Sequence, residues 1–390
     1  MDFEFGDDMV AIRMEAKAFL DEHLDDELHE RMERTGTHHD PEFSRALGAR
    51  GWIASGWPVS DGGAGRSWLE QLVINEEFSR AQAPMGAILT TMLVANTLRV
   101  WGTPEQKSEV LPGVLRGEVQ ICLGYSEADS GSDVAAARTR AVRDGDEWVI
   151  NGEKMFTSLA QVADYVFIVT RSNVEVKKHR GLTMFLVPMT TKGITIAEVK
   201  TLGGVRTNIT SYQDVRVPDG CRVGDVDGGW AVLSSALEFE HSGSYAPEID
   251  RVLNVAVEEA SRRDGDGSRQ IDDPAVRATL ARIAIDIEVS RLLGLNTGWM
   301  YSVGKNPVAE GSMAKVFSSE AFARACASLL AVFGADGLEQ AHGLGDSGTG
   351  VIEHAFRHSQ VTRIYAGTSE IHRSIVAERG LGLPRTRSAG

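Results

Sequence analysis

Tyr165–Val166–Phe167–Ile168–Val169 is one of several short segments, rich in β-branched and aromatic residues, that lie between about Gln120 and Val226. Such residues favour extended backbone, and Gly, Asp or Pro separates each segment from the next. The pairs Asp144–Gly145 and Asn151–Gly152 are typical of tight turns between antiparallel strands. The stretch therefore predicts a small barrel or sandwich of antiparallel strands. Its other strands are expected at Trp148–Ile150, Leu182–Val187, Ile194–Ile196 and Val215–Val217.

Helical periodicity flanks this β-rich stretch on both sides. In the first 118 residues, apolar side chains recur at three- and four-residue steps, which predicts amphipathic helices. Pro104 is expected to open a further helix, and Pro112 to mark the boundary after it. After Gly229 the same periodicity returns. The predicted helical segments are Ala11–Leu20, Glu70–Phe78, Gly86–Val100, Ala275–Leu293, Ser312–Phe333 and Val351–Ile375.

The order of helices, then strands, then helices decides the fold class. It excludes an alternating βαβ sheet, and no GxGxxG motif follows a predicted strand, which argues against a Rossmann cofactor site. We therefore predict an α+β multi-domain protein. Its parts would be a helical N-terminal domain at residues 1–118, a β middle domain at 119–227 and a helical C-terminal domain at 228–390.

The composition of the chain restricts the classes of function that it can have. The chain has 390 residues, 42% of them hydrophobic, and a net charge of −15, which argues against general nucleic-acid binding. No stretch is expected to reach the length needed to span a bilayer, and the first ten residues lack the basic region of a signal peptide. Cys122, Cys221 and Cys326 lie far apart without metal-ligand spacing. We therefore expect no metal site and a cytoplasmic location.

Three polar segments carry the candidate chemistry. Gly124–Asp133 offers backbone N–H groups and small hydroxyls to a ligand. Asn151–Ser158 places an aromatic beside two hydroxyls, which suits stacking on a planar ring. Arg363–Arg373 contains a Gly-Thr-Ser turn in which Thr368 or Ser369 can cap a new helix. Each segment alone is equally compatible with an ordinary loop, strand or helix cap.

Together, in this order and spacing, the three segments resemble the acyl-CoA dehydrogenase family over nearly the whole chain. The resemblance implies a helical N-terminal domain, a β-barrel or sandwich middle domain and a C-terminal four-helix bundle. It also implies FAD as cofactor and α,β-dehydrogenation of an acyl-CoA thioester. Carried over by motif, the flavin-binding residues would be Tyr125, Ser126, Phe156, Ser158, Thr368 and Glu370, and the acyl-CoA-binding residues Ser132, His241, Tyr365 and Gly367.

The resemblance also suggests roles for these side chains. Phe156 matches the aromatic that packs on the isoalloxazine, and Ser158 the hydroxyl near flavin N5. Ser126 matches a hydroxyl at the pyrimidine end of the ring. Ser132 matches a position near the pantetheine or phosphate part of CoA. The basic run Lys177–Arg180 could attract CoA phosphates or could be a solvated loop.

The general base is the point at which the sequence departs from the commonest family pattern. Many members carry a glutamate in the turn around the tyrosine of the third segment, here Tyr365, which we call the tyrosine turn. This chain has Ala366 at the position of that glutamate. Glu240 is the alternative, because it continues the apolar stripe of Leu233, Ala236 and Leu237. Periodicity alone is equally compatible with a helix-end glutamate that reaches solvent or pairs with an Arg. A desolvated carboxylate has the raised pKa that a base requires. Isovaleryl-type, long-chain-type and several steroid-degrading members resemble this arrangement, although His241 stands where an Arg commonly follows.

The sequence lacks the motifs that usually bind the adenine end of FAD in a neighbouring subunit. The Arg-x-x-Phe-Gly run is missing from Arg262–Arg269, and Ala331 replaces a Gln before Phe333–Gly334. We therefore expect a homologous second subunit in an α2β2 heterotetramer, as the resemblance to actinobacterial steroid side-chain dehydrogenases implies. A homotetramer with altered contacts is the alternative.

Several functions remain open at this level. The favoured substrate is an acyl-CoA with a bulky steroid side chain or a branched acyl group, with electron-transfer flavoprotein or a similar protein as electron acceptor. A carrier-protein thioester on the same fold is one alternative. A non-catalytic partner subunit is another, which Ala366 would favour and Glu240 disfavours.

Overall fold

A computed structural model of the chain describes residues 6–238, 244–263, 265, 267–339 and 348–385. Its N-terminal part is helical. Several of these helices begin where side chains satisfy the free backbone N–H groups of the first turn. Ser67 and Glu70 form a capping box at the start of the helix Trp68–Arg80, and Thr103 and Gln106 form another at the start of the helix Pro104–Leu115. The helices are α1 Asp7–His23, α2 Asp26–Thr35, α3 Pro41–Ala49, α4 Trp68–Arg80, α5 Gly86–Trp101 and α6 Pro104–Leu115.

Pro104 opens α6 as predicted, but the boundary predicted at Pro112 was wrong. Pro112 lies inside α6, which continues to Leu115. A proline within a helix removes one backbone hydrogen bond. Val110 and Val114 on either side of it are buried in the core that α5 and α6 share with the sheet. This burial outweighs the lost bond, and local sequence signals do not report it.

The middle part of the chain forms one mixed sheet. The strands are β1 Ile121–Gly124, β2 Arg140–Asp144, β3 Glu147–Lys154, β4 Tyr165–Arg171, β5 Leu182–Pro188, β6 Ile194–Lys200, β7 Arg206–Pro218 and β8 Arg222–Val223. Their order is β6-β7-β3-β2-β4-β5-β8. The position of every predicted strand is confirmed. Their exclusively antiparallel pairing is not, because β1 runs parallel to β4 from Ile121↔Tyr165 onward and β2 meets β4 in parallel at Arg140↔Arg171.

Of the two predicted turns, Asp144–Gly145 forms a turn and Asn151–Gly152 does not. Asp144 and Glu147 pair across the tight turn between β2 and β3. Asn151–Gly152 instead lies inside β3, at a shift in the register with β7. The Asn151 side chain accepts from the Asp214 backbone N–H and donates to the Asp214 carboxylate, at 2.8 and 3.1 Å. The Asn-Gly pair therefore forms a β-bulge. Bulges, like tight turns, need unusual backbone angles, so the same residue pair suits both.

The C-terminal part is helical. Its helices are α7 Gly229–Glu238, α8 Ala246–Ser261, α9 Pro274–Ser302, α10 Val308–Phe333, α11 Gly348–Ser359 and α12 Ser369–Ile375. The four long ones, α8 to α11, pack as a bundle around Ile249, Val252, Phe322, Leu329 and Ile352. The predicted helical segment Val351–Ile375 is interrupted between Ser359 and Ser369, and this interruption holds the tyrosine turn.

Helix α10 corrects one expectation about membranes. Val308–Phe333 is long and apolar enough, by length and composition, to cross a bilayer. The expectation that no stretch reaches this length was therefore wrong. In the fold the helix packs in the bundle, where Ala321, Phe322, Cys326 and Leu329 are buried. The core helix of a bundle has the same composition as a membrane span, because both avoid water.

Gly36 joins the N-terminal helices to the sheet. It ends α2 at a φ of 62°, and its carbonyl accepts from the Arg206 backbone N–H at 2.8 Å. A Cβ at this position would lie 2.5 Å from the carbonyl oxygen of Gly204. The clash would be with a backbone atom, so it could be relieved only by moving the main chain, which costs more free energy than turning a side chain.

We expect Gly36→Ala to lower the free energy of unfolding by more than about 1 kcal/mol, because it combines left-handed strain with a clash. Urea denaturation would measure the change. Gly220→Ala is the control, since its Cβ would meet nothing within 4 Å. Equal stability of the two variants would contradict a tight junction at Gly36.

Candidate active site

The first predicted flavin segment is anchored to the end of β3. Tyr125 and Ser126 follow β1 directly, and the Ser126 carbonyl accepts from the Met155 backbone N–H at 2.9 Å. The Lys154 ammonium donates to the Tyr125 carbonyl at 3.2 Å. Tyr125 also packs edge-on against Phe167 of β4, with ring centroids 6.2 Å apart. These contacts bring the first and second predicted segments together.

Lys154 is fully buried and pairs with Glu127, its Nζ 2.7 Å from the carboxylate. The carboxylate also accepts from the backbone N–H groups of Arg138 and Thr139, at 2.7 and 2.9 Å. Burial lowers the pKa of Lys154 to about 8, against the opposing effect of Glu127. Burial raises the pKa of Glu127, but the Lys154 charge and the hydrogen bonds outweigh it and hold that pKa below its usual value. The pair is therefore ionised at neutral pH.

The second segment presents an exposed aromatic on a rigid backbone. Phe156 has a φ of 59° and a relative exposure of 61%. Next to it, Thr157 exchanges two hydrogen bonds with Asn208 of β7: the Thr157 N–H donates to the Asn208 carbonyl at 2.9 Å, and the Asn208 amide donates to the Thr157 carbonyl at 3.0 Å. The Ser158 hydroxyl lies 3.0 Å from that of Thr207. A strained backbone and a large apolar ring exposed to solvent both cost free energy. A ligand that covers the ring would offset part of this cost.

The third segment, together with Thr362 before it, forms the tyrosine turn, residues 362–368. Thr368 caps α12 by accepting from the Ile371 backbone N–H, as predicted for Thr368 or Ser369. Ala366 and Gly367 both have left-handed backbones, with φ of 52° and 85°. The Tyr365 hydroxyl lies 3.0 Å from that of Tyr245, at the start of α8. Glu370, in the first turn of α12, is exposed.

Two side chains beneath the tyrosine turn were not predicted. Lys315 of α10 donates to the carbonyls of Thr362, Tyr365 and Gly367. His372 is buried and hydrogen bonds to the Ala366 carbonyl at 2.9 Å. Lys315 could have been found from the sequence. It lies three residues before Ser318 and seven before Phe322, so it shares the helix face on which both are buried. A cation on such a face needs a hydrogen-bonding partner.

Ser132, the residue predicted to lie near the CoA end, is at the surface. Its neighbour Asp133 pairs with Lys178 of the basic run Lys177–Arg180. Both partners of this pair are more than half exposed, so it adds little stability. The pair does place the basic run beside Ser132.

Two predicted residues, Glu240 and His241, lie outside the residues that the structure describes. The helix that leads to them is described as far as Glu238. Val232, Leu233 and Ala236 of α7 are buried in the core shared with the sheet. This agrees with the apolar stripe on which the Glu240 prediction rests, while the position of Glu240 itself stays a prediction.

Three family models match the chain in the order of its parts. They are described as the N-terminal, middle and C-terminal domains of acyl-CoA dehydrogenase, and they match residues 6–118, 122–215 and 227–381. Among curated proteins, acyl-CoA dehydrogenase FadE26 of Mycobacterium tuberculosis is 38% identical over 348 residues, which cover 87% of this chain and 86% of the relative.

Solved structures give the same picture. A structure described as the Tcur3481-Tcur3483 steroid ACAD has a TM-score of 0.90 and 33% identity, covering 99% of this chain and 100% of the other. The ChsE4-ChsE5 complex from Mycobacterium tuberculosis also has a TM-score of 0.90, with 35% identity and the same coverage.

Proposed function

This chain belongs to the acyl-CoA dehydrogenase family, and from that premise we propose that it oxidises the Cα–Cβ bond of an acyl-CoA that carries a bulky, steroid-type side chain. The family assignment makes the chain an FAD-dependent oxidoreductase acting on CH–CH bonds. One observation carries the choice of substrate: the structure named a steroid ACAD matches 99% of this chain at a TM-score of 0.90.

The described residues fit a flavin. The exposed ring of Phe156 offers an apolar face for a planar heterocycle, and the Ser158 hydroxyl beside it is fixed by Thr207. Ser126 lies on the adjoining segment, joined to Met155. Thr368 and Glu370 stand at the start of α12, on the turn that the resemblance assigns to the flavin. An aromatic face with hydroxyls at its rim is the chemistry that an isoalloxazine needs.

Bound FAD supplies the acceptor for the β-hydride. The protein has to remove the α-proton, and we assign this to a carboxylate oxygen of Glu240, since Ala366 cannot act as a base. The turn at Tyr365 and Gly367 and the residue His241 are assigned to hold the thioester. Ser132 and the neighbouring basic run Lys177–Arg180 are assigned to the CoA end, where the run as a whole supplies positive charge.

Anaerobic titration tests the substrate. The purified holoenzyme is mixed with steroid side-chain, branched, short straight-chain and carrier-protein thioesters, and loss of the visible flavin absorbance is followed during the first turnover. Steroid-type acyl-CoA should bleach the flavin fastest. Fastest bleaching by the carrier-protein thioester would replace this proposal with the biosynthetic alternative.

We also propose a homologous second subunit. Support comes from the names of the two similar structures, since one is described as a ChsE4-ChsE5 complex and the other carries the paired name Tcur3481-Tcur3483. The altered motifs at Arg262–Arg269 and Ala331 support it as well. In the fold, α10 ends at Phe333, and Gly334 follows with a φ of 58°. Expression of this chain alone should yield little bound FAD, and co-expression with the homologue should restore it. A fully flavinated homotetramer of this chain alone would contradict the proposal.

The electron acceptor and the location remain proposals of the same kind. Electron-transfer flavoprotein or a similar protein would reoxidise the flavin, and a cytoplasmic location would suit the three unpaired cysteines. Cys122 and Cys326 are buried, and burial raises the pKa of each to about 12. Thiols of this kind are chemically inert and suit a core rather than a redox role.

A further inference from the structure

One buried ammonium group supports the tyrosine turn. The Lys315 Nζ lies 3.0 Å from the Tyr365 carbonyl oxygen and 3.3 Å from that of Gly367, and it also contacts the Thr362 carbonyl. Lys315 is 8% exposed. An ammonium has three N–H donors and no acceptor, so it can bond to three carbonyls at once. These bonds join α10 to a loop about fifty residues further along the chain.

The backbone of the turn needs external support. Ala366 and Gly367 are consecutive left-handed residues, and an alanine in this region is strained. The Ala366 carbonyl is bound by His372. Because a carbonyl can only accept, the imidazole Nε2 must carry the proton. Its Nδ1 lies 3.1 Å from the Ser312 hydroxyl, which orients the ring. Lys315 and His372 thus hold the carbonyls on both sides of the strained peptide.

We infer that Lys315 is a positioning residue of the dehydrogenation: its charge fixes the tyrosine turn in the conformation that meets the flavin and the thioester. The inference rests on the proposed function of that turn. The bonds are charge-assisted, and such bonds are stronger than neutral ones. The ammonium also lies 5.6 Å from the centre of the Tyr365 ring, so it restrains the side chain as well as the backbone.

The test replaces Lys315 with Met, which keeps the length and removes the donors. In the holoenzyme, Lys315→Met should slow reduction of the flavin by acyl-CoA on the order of 100-fold, because small displacements of reacting groups have effects of this size. It should also shift the visible spectrum of the bound flavin and weaken FAD binding. Reduction by dithionite should stay unchanged. Lys315→Arg, which keeps the charge, should recover part of the rate.

Lys305→Met is the matched control. Lys305 is an exposed lysine that precedes α10, with its ammonium 5.5 Å from the ring of Trp299, and its loss should change neither spectrum nor rate. If Lys315→Met lowers only thermal stability, while the flavin that remains bound has the wild-type spectrum and rate, Lys315 is a structural residue and the inference is wrong.

A second variant decides the matter if Lys315→Met does not fold. Ser312→Ala removes the hydroxyl that lies beside the His372 Nδ1 and that also donates to the Val308 carbonyl within α10. It should slow reduction several-fold while the protein stays folded. An unchanged rate and spectrum would overturn the inference. The spectral readout needs no acyl-CoA, so it separates the two proposals: failure of every thioester to reduce the wild type refutes the proposed function, whereas an unchanged spectrum in both variants refutes the role of Lys315.

Discussion

Glu240→Gln is expected to slow reduction of the bound flavin by acyl-CoA by roughly 10²- to 10⁴-fold, the contribution that a positioned general base makes. The amide has nearly the shape of the carboxylate and cannot accept the α-proton. Flavin binding should persist, because the predicted flavin contacts lie on other segments. Stopped-flow absorbance under anaerobic conditions measures the rate, and the flavin spectrum reports occupancy.

Glu238→Gln is the control for this experiment. It makes the same chemical change two residues earlier, on a position that the helical period turns away from the apolar stripe. Its rate should match the wild type. A further variant, Glu240→Ala combined with Ala366→Glu, moves the carboxylate to the tyrosine turn and should restore part of the activity. Rapid reduction of Glu240→Gln would show that another group takes the proton.

Lys154→Met is expected to lower the free energy of unfolding by about 3–5 kcal/mol, the usual cost of removing one partner from a buried ion pair. The variant leaves the Glu127 carboxylate, whose side chain is 10% exposed, without its cation, and it frees the Tyr125 carbonyl. Urea denaturation followed by circular dichroism measures the loss. Flavin affinity should fall as well, since Tyr125 and Ser126 lose their anchor.

A double variant separates charge from packing in this pair. Glu127→Gln together with Lys154→Met removes both charges, so it should be more stable than Lys154→Met alone. Arg138→Met, which breaks the exposed pair with Asp129, should cost no more than about 1 kcal/mol. In the wild type, stability should fall as the pH drops through the lowered pKa of Glu127, and this step should vanish in the double variant. A double variant no more stable than Lys154→Met would contradict the charge argument.

Local sequence signals predicted most of the secondary structure, because many helices and strands begin or end at capping residues, prolines or turn pairs. Pro104, with Thr103 before it, starts α6, and Asp144–Gly145 closes the first hairpin. The errors arose where distant contacts decide. Burial of Val110 and Val114 carries α6 past Pro112, and pairing with Asp214 makes a bulge of Asn151–Gly152.

The candidate site was predicted from short motifs and the family resemblance, and the residues that support it were not. Lys154 binds the backbone carbonyl of Tyr125, 29 residues earlier, and His372 binds that of Ala366, six residues earlier. The positions of backbone carbonyls cannot be read from a pattern of residue types. Lys315 was accessible in principle. The argument that singled out Glu240, an ionisable group on an apolar stripe, applies equally to a lysine within Val308–Phe333.

The pairing of β3 with β7 bears on how the chain is made. Glu147 of β3 is opposite Pro218 of β7, at the far end of a 13-residue strand. During synthesis β3 leaves the ribosome well before β7 exists, so one of its sides is an unsatisfied template in the nascent polypeptide. Only translation through Pro218 closes this gap. We therefore expect ribosome-bound chains that stop short of β7 to associate with chaperones.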